Sequence, residues 1–91
     1  MNPPRSLGGP LRVTVRLFAR YAEAIGTDRV EVSLPAPATV ADVLRTLRAQ
    51  VPAAAALPAR PLCAINLDHV LPSTPVTDGA ELALLPPLAG G

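Results

Sequence analysis

Proline decides which folds are open to this chain. Twelve of its 91 residues are proline, and Pro35, Pro37, Pro52, Pro61, Pro86 and Pro87 each stand where a periodic segment stops. Without a backbone N–H, proline is excluded from helix interiors and from the middle of a paired strand. The intervals between these stops admit only short strands and helices of a few turns.

The intervals themselves are patterned. Arg12–Phe18 alternates, with Val13, Val15 and Leu17 on one side and Arg12, Thr14 and Arg16 on the other, which predicts a half-buried strand. Ala19–Ile25 predicts a helix of about two turns closed by Gly26. Arg29–Leu34 alternates again and ends at Pro35. Thr39 opens the clearest helix: Thr39 and Asp42 make a capping-box pattern. Val40, Val43, Leu44, Leu47 and Val51 then recur at helical spacing until Pro52. Pro52–Pro61 is an Ala-rich connection with room for one turn at Ala53–Leu57. Leu62–Asn66 reads as a central strand, Leu67–Leu71 as a brief edge strand, Asp78-Gly79 as a turn, and Glu81–Leu85 as a last strand with Leu82 and Leu84 inward. The order predicts an α+β sandwich, with the Val40–Val51 helix across one face of a mixed sheet of four to five strands. The boundaries expected are a disordered tail over 1–11, one domain over 12–85 and a flexible tail over 86–91.

Hydrophobic residues make up 49% of the chain and aromatics only 2%, so the core must be built from small aliphatic contacts. A net charge of +1 is too weak for a nucleic-acid footprint, and one Tyr and one Phe leave no stacking platform. All eight basic residues are arginine. No apolar run approaches the ~18 residues that span a bilayer, and the Pro- and Gly-rich opening lacks a signal-peptide pattern. The expectation is a cytoplasmic protein that binds neither nucleic acid nor membrane. One cysteine, Cys63, excludes an internal disulfide.

The sequence closes Leu84-Leu85-Pro86-Pro87-Leu88-Ala89-Gly90-Gly91. Two prolines stiffen the approach. Two glycines strip side chains from the end, so the tip can enter a slot closed to other residues. Residues 86–91 extend to at most about 20 Å, at roughly 3.3 Å per residue. Gly91 is expected to supply the reacting acyl group and Gly90 its passage. Leu85, Pro86, Pro87, Leu88 and Ala89 are expected to form an apolar collar that a partner buries.

Three segments together resemble a known family. They are Val15-Arg16-Leu17-Phe18-Ala19 with Ala24-Ile25-Gly26; Ala38-Thr39-Val40-Ala41-Asp42-Val43-Leu44; and Ala64-Ile65-Asn66 with Thr77–Gly91. The chain from Arg12 onward is similar to the small subunit of molybdopterin synthase, among the ubiquitin-like sulfur carriers. The resemblance implies a β-grasp fold and a C-terminal glycine that a ubiquitin-activating-like adenylyltransferase adenylates with ATP. Conversion to a thiocarboxylate would follow, with insertion into the large subunit of molybdopterin synthase and donation of sulfur to a cyclic pterin. No cofactor is bound on this account, and no side chain of the chain is itself catalytic. The family usually carries a second acidic residue after the turn glycine, where this sequence has Ala80; the tail is unaffected.

Adenylation has a plain chemical purpose. A terminal carboxylate, with a pKa of about 3.5, is ionised at neutral pH and is a poor electrophile. The mixed anhydride gives it a leaving group. Other residues carry less. Cys63 reads as a small buried hydrophobe. His69 reads as a surface loop residue with no second histidine at metal-ligand spacing. Asp28, Glu31, Asp42 and Asp78 read as turn, cap and solvent positions. The alternatives are a sulfur carrier for thiamine thiazole or amino-acid thiolation, a ubiquitin-like protein modifier, and an interaction domain with an inert end.

Overall fold

The computed structural model describes residues 10–87. Seven strands and two α-helices follow in order: β1 (Pro10–Leu17), α1 (Arg20–Ile25), β2 (Arg29–Pro35), β3 (Ala38–Thr39), α2 (Val40–Gln50), β4 (Leu62–Ile65), β5 (Asp68–Val70), β6 (Pro75–Val76) and β7 (Glu81–Leu85), with a 3-10 turn at Pro52–Ala56 after α2. The main sheet has the order β2-β1-β7-β4-β5, and β3 pairs with β6 in a separate two-stranded ribbon. Strand β1 runs antiparallel to β2 and parallel to β7; β4 is antiparallel to both β7 and β5. This is the mixed, helix-covered α+β arrangement of the ubiquitin-like β-grasp.

The alternation sorts as expected. Val13, Val15 and Leu17 of β1, Val32 and Leu34 of β2, and Leu82 and Leu84 of β7 are buried, and meet Val40, Val43, Leu44 and Leu47 of α2. No polar or charged residue is buried among the described residues. The aliphatic core therefore holds no buried charged side chain whose desolvation must be offset. No helix there is long and apolar enough to cross a membrane.

Local chemistry fixes the helix ends. The Thr39 hydroxyl accepts from the Asp42 N–H, and the Asp42 carboxylate accepts from the Thr39 N–H at 2.9 Å, completing the capping box. Helix α1 closes on Gly26 at φ 92°, a left-handed cap suited to glycine.

Several boundaries differ from the expectation. β1 begins at Pro10 rather than Arg12, because Pro10 and Leu11 stand opposite Pro35 and Leu34 at the edge of the β2 pairing. Residues 1–9 and 88–91 lie outside the described residues, so the expected disorder of the first tail and flexibility of the second tip fall there. The ribbon of β3 and β6 was not expected: each strand is two residues long, too short for a pattern. The proposed edge strand shrinks to Asp68–Val70, since Asn66 and Leu67 form the two-residue turn between β4 and β5. Both have positive φ, 53° and 70°, as a type I′ hairpin requires. Asparagine suits the first position. Leucine at the second costs about 1–2 kcal/mol in backbone sterics, where glycine would cost nothing.

Candidate functional site: the tail exit and the outer sheet face

Strand β7 is held on both sides, by β1 through Leu17 opposite Leu84 and by β4 through Leu62 opposite Leu85. It is a central strand of the sheet, so the tail leaves from a fixed point. Leu84 is fully buried. Leu85 points to the other face and is half-buried, as is Pro86, while Pro87 is exposed. Neither proline can donate to a neighbouring strand, so pairing ends where the prolines begin. Pro87 lines a hollow with Arg20, Tyr21, Ala24, Ala56 and Pro58 on the helix side.

The register places other side chains beside Leu85. Phe18 follows Leu17, and Leu62 stands opposite Leu85; both are on the outer face, 40% and 49% exposed. Leu71, just past the end of β5, is 68% exposed. A row of large apolar groups thus flanks the exit, on the face that α2 does not cover. The sequence reading placed the partner surface at residues 85–89 alone. Leu85, Pro86 and Pro87 are where it put them; Leu88, Ala89, Gly90 and Gly91 lie outside the described residues. Phe18, Leu62 and Leu71 were missed; only the pairing of β7 with β1 and β4, and of β4 with β5, brings them to this face.

Toward the middle of this face is a groove of about 380 Å³. Its floor is the cross-strand pair Ala64 and Ala83. Arg16 stands beside Ala83, with Nη1 3.7 Å from a carboxylate oxygen of Glu81 and its guanidinium carbon 5.7 Å from the centre of the Phe18 ring.

The remaining candidates separate cleanly. Cys63 faces the core opposite Leu84, with its thiol donating to the Pro61 carbonyl at 3.4 Å; burial pushes its pKa above 9.0. It is the buried hydrophobe expected. His69 is exposed, but on strand β5 opposite Ala64, not on a loop. No group of three potential metal ligands occurs among the described residues. The Asp28 carbonyl accepts from the Leu17 N–H at 2.9 Å, and the Glu31 carbonyl accepts from the Gln50 amide at 3.2 Å. Asp42 is the cap already described. Its carboxyl is held below its ordinary value by the Thr39 N–H first, then by Arg45 and the Thr39 hydroxyl.

Comparison with known proteins gives a consistent result. The ThiS family profile matches residues 15–91. The molybdopterin synthase sulfur carrier subunit of Escherichia coli K12 is 37% identical over 81 residues, covering 87% of this chain and 99% of that protein. Among solved structures, small archaeal modifier protein 1 of Haloferax volcanii superposes with a TM-score of 0.78 at 31% identity, covering 88% of this chain and 99% of that one. The fold also occurs in a complex of subunits 1 and 2 of molybdopterin-converting factor from Helicobacter pylori. The TM-score there is 0.61 at 24% identity, over 89% of this chain and 100% of the other.

Proposed function

The chain belongs to the ThiS family as a homologue of a molybdopterin synthase sulfur carrier, and on that footing we propose that it is the sulfur-carrying small subunit of a molybdopterin synthase. The 37% identity to the Escherichia coli carrier, across nearly all of that protein, carries this reading. The geometry is compatible: a fixed central strand ends in two prolines beside an apolar collar, a layout suited to presenting a narrow tip to a docked partner.

The chemistry runs through the main chain. A carboxylate oxygen of Gly91 attacks the α-phosphate of ATP on an adenylyltransferase related to ubiquitin-activating enzymes, and pyrophosphate leaves. A sulfur donor attacks the acyl carbon and AMP leaves. With a persulfide as donor, a second thiol attacks the sulfur bound to the donor, so that a disulfide leaves and the thiocarboxylate is freed. With Gly90 passing the constriction, the tip enters the large subunit and its sulfur attacks a carbon of a cyclic pterin, displacing an oxygen leaving group. Water then hydrolyses the resulting thioester, leaving the sulfur on the pterin and returning the chain as the carboxylate, a reusable cosubstrate. A cycle that consumes ATP fits the cytoplasmic location expected for the chain.

Deleting Gly91, or adding one residue after it, tests this reading. Sulfur transfer to the pterin should be lost while thermal unfolding is unchanged. Transfer that survived either change would refute the tail chemistry. The likeness to an archaeal modifier protein favours a second reading, conjugation through Gly91 to amines of other proteins. Shifted bands that survive reduction and boiling would identify it.

A further inference from the structure

The groove on the outer face contains two features that the fold does not explain. The first is Arg16. It lies on β1 with its Nε buried and without a hydrogen-bond partner. Its contact with Glu81 is a long 3.7 Å, to a carboxylate that is itself 56% exposed. A guanidinium offers five donors in a planar fork, and this one uses them weakly. Directly across the sheet from it is Arg29, a like charge in the position where an opposite one would be favourable. The second feature is Leu67, which shares the groove with Arg16. It is 97% exposed and sits at φ 70°, so it combines an unfavourable backbone with an unburied apolar side chain. Glycine there would remove both costs.

Both features meet at one hollow. The alanines 64 and 83 keep its floor low, and Phe18 and Leu85 wall the side nearest the tail. We propose that a partner protein places an aspartate or glutamate side chain in this groove, bound by the Arg16 guanidinium, while Leu67 anchors in an apolar pocket beside that acid. The complement of an under-used guanidinium with an arginine opposite is a carboxylate, and the complement of an exposed leucine on a hairpin tip is a hydrophobic recess. Because the groove adjoins the collar at Leu85, the partner is the protein that receives the tail. The inference therefore rests on the sulfur-carrier reading and adds to it the chemistry of recognition.

The test measures the affinity of the full chain for the large synthase subunit by calorimetry, at low and high salt, with melting temperatures measured alongside. Arg16→Gln should weaken binding about 10-fold, the scale of a lost charge-assisted hydrogen bond, and should flatten the salt dependence. Arg16→Lys, which keeps the charge without the fork, should fall between. Leu67→Gly should melt about 4 °C higher yet bind about 10-fold more weakly, as expected for a buried anchor. A purely structural residue would not gain stability while losing affinity. Wild-type affinity in both Arg16→Gln and Leu67→Gly would overturn the inference and leave the carrier reading intact. The inference would also fall if the Arg16→Gln effect appeared only in self-association, or only as a change at the Gly91 amide of the isolated chain; the groove would then serve a second copy or the chain's own end. Failure of even the wild-type chain to bind the large subunit would remove both readings together.

Discussion

The carboxylate of Asp78 accepts a hydrogen bond at 2.8 Å from the backbone N–H of Arg12, 66 positions earlier in the chain. The next residue completes a clamp, with the Gly79 N–H donating to the Arg12 carbonyl at 2.8 Å. Together they lock the turn before β7 to the start of β1. That lock sets the register of the parallel pair, and hence the point at which the tail departs. Gly79 adopts φ 87°, which a side chain would resist. Asp78→Ala should lower stability by about 1 kcal/mol, the net value of one solvent-accessible hydrogen bond, as read from urea unfolding. No loss would mean that the register is set by side-chain packing alone.

The capping box gives stability a defined acid dependence. Asp42 has its carboxyl held below the ordinary 3.8, so the folded state binds that proton less readily than the unfolded chain does. Its contribution is fully present above about pH 4 and is lost as pH falls through the depressed folded value. Asp42→Asn should be less stable than the parent at pH 7, with the gap closing below pH 4. A constant gap down to pH 2, in parallel denaturant titrations, would show that the carboxylate charge is irrelevant to the cap.

Leu47 is fully buried on α2 against the sheet. In a core of small aliphatic groups a cavity has few large neighbours able to collapse into it. Leu47→Ala should therefore cost about 3 kcal/mol, visible as a lower denaturation midpoint with an unchanged slope. A cost below about 1 kcal/mol would mean that the site relaxes in a way the packing gives no reason to expect.

Cys63 should take no part in sulfur handling. Its thiol is buried, donates to the Pro61 carbonyl and has its pKa raised by burial. In the native protein it should react with a thiol reagent at a small fraction of its rate in denaturant. Cys63→Ala should still be loaded with sulfur. Fast native labelling, or loss of loading in the variant, would contradict this assignment.

The fold was legible wherever one element carried its own signal. The alternation of β1 and β2, the Thr39–Asp42 box with the apolar face of α2, and the Gly26 cap are all properties of contiguous residues. The ribbon of Ala38–Thr39 with Pro75–Val76 was not legible, because two-residue pairing is decided by whether distant segments happen to meet. The same holds for the collar. Phe18, Leu62 and Leu85 are far apart in sequence and become neighbours only through the register of three strands. Arg16 looked like any solvent-facing strand residue until the hollow at Ala64 and Ala83 was in view. Leu67 was read as strand, and its place in a positive-φ turn came from pairing geometry that no local pattern encodes.

The most direct measurement is the intact mass of the full chain after incubation with an adenylating enzyme of the ubiquitin-activating type, ATP and a sulfur donor. The account predicts the gain that comes from replacing one oxygen by one sulfur, localised to Gly91 by fragmentation and absent without ATP. An unchanged mass under conditions that load the Escherichia coli carrier would contradict it.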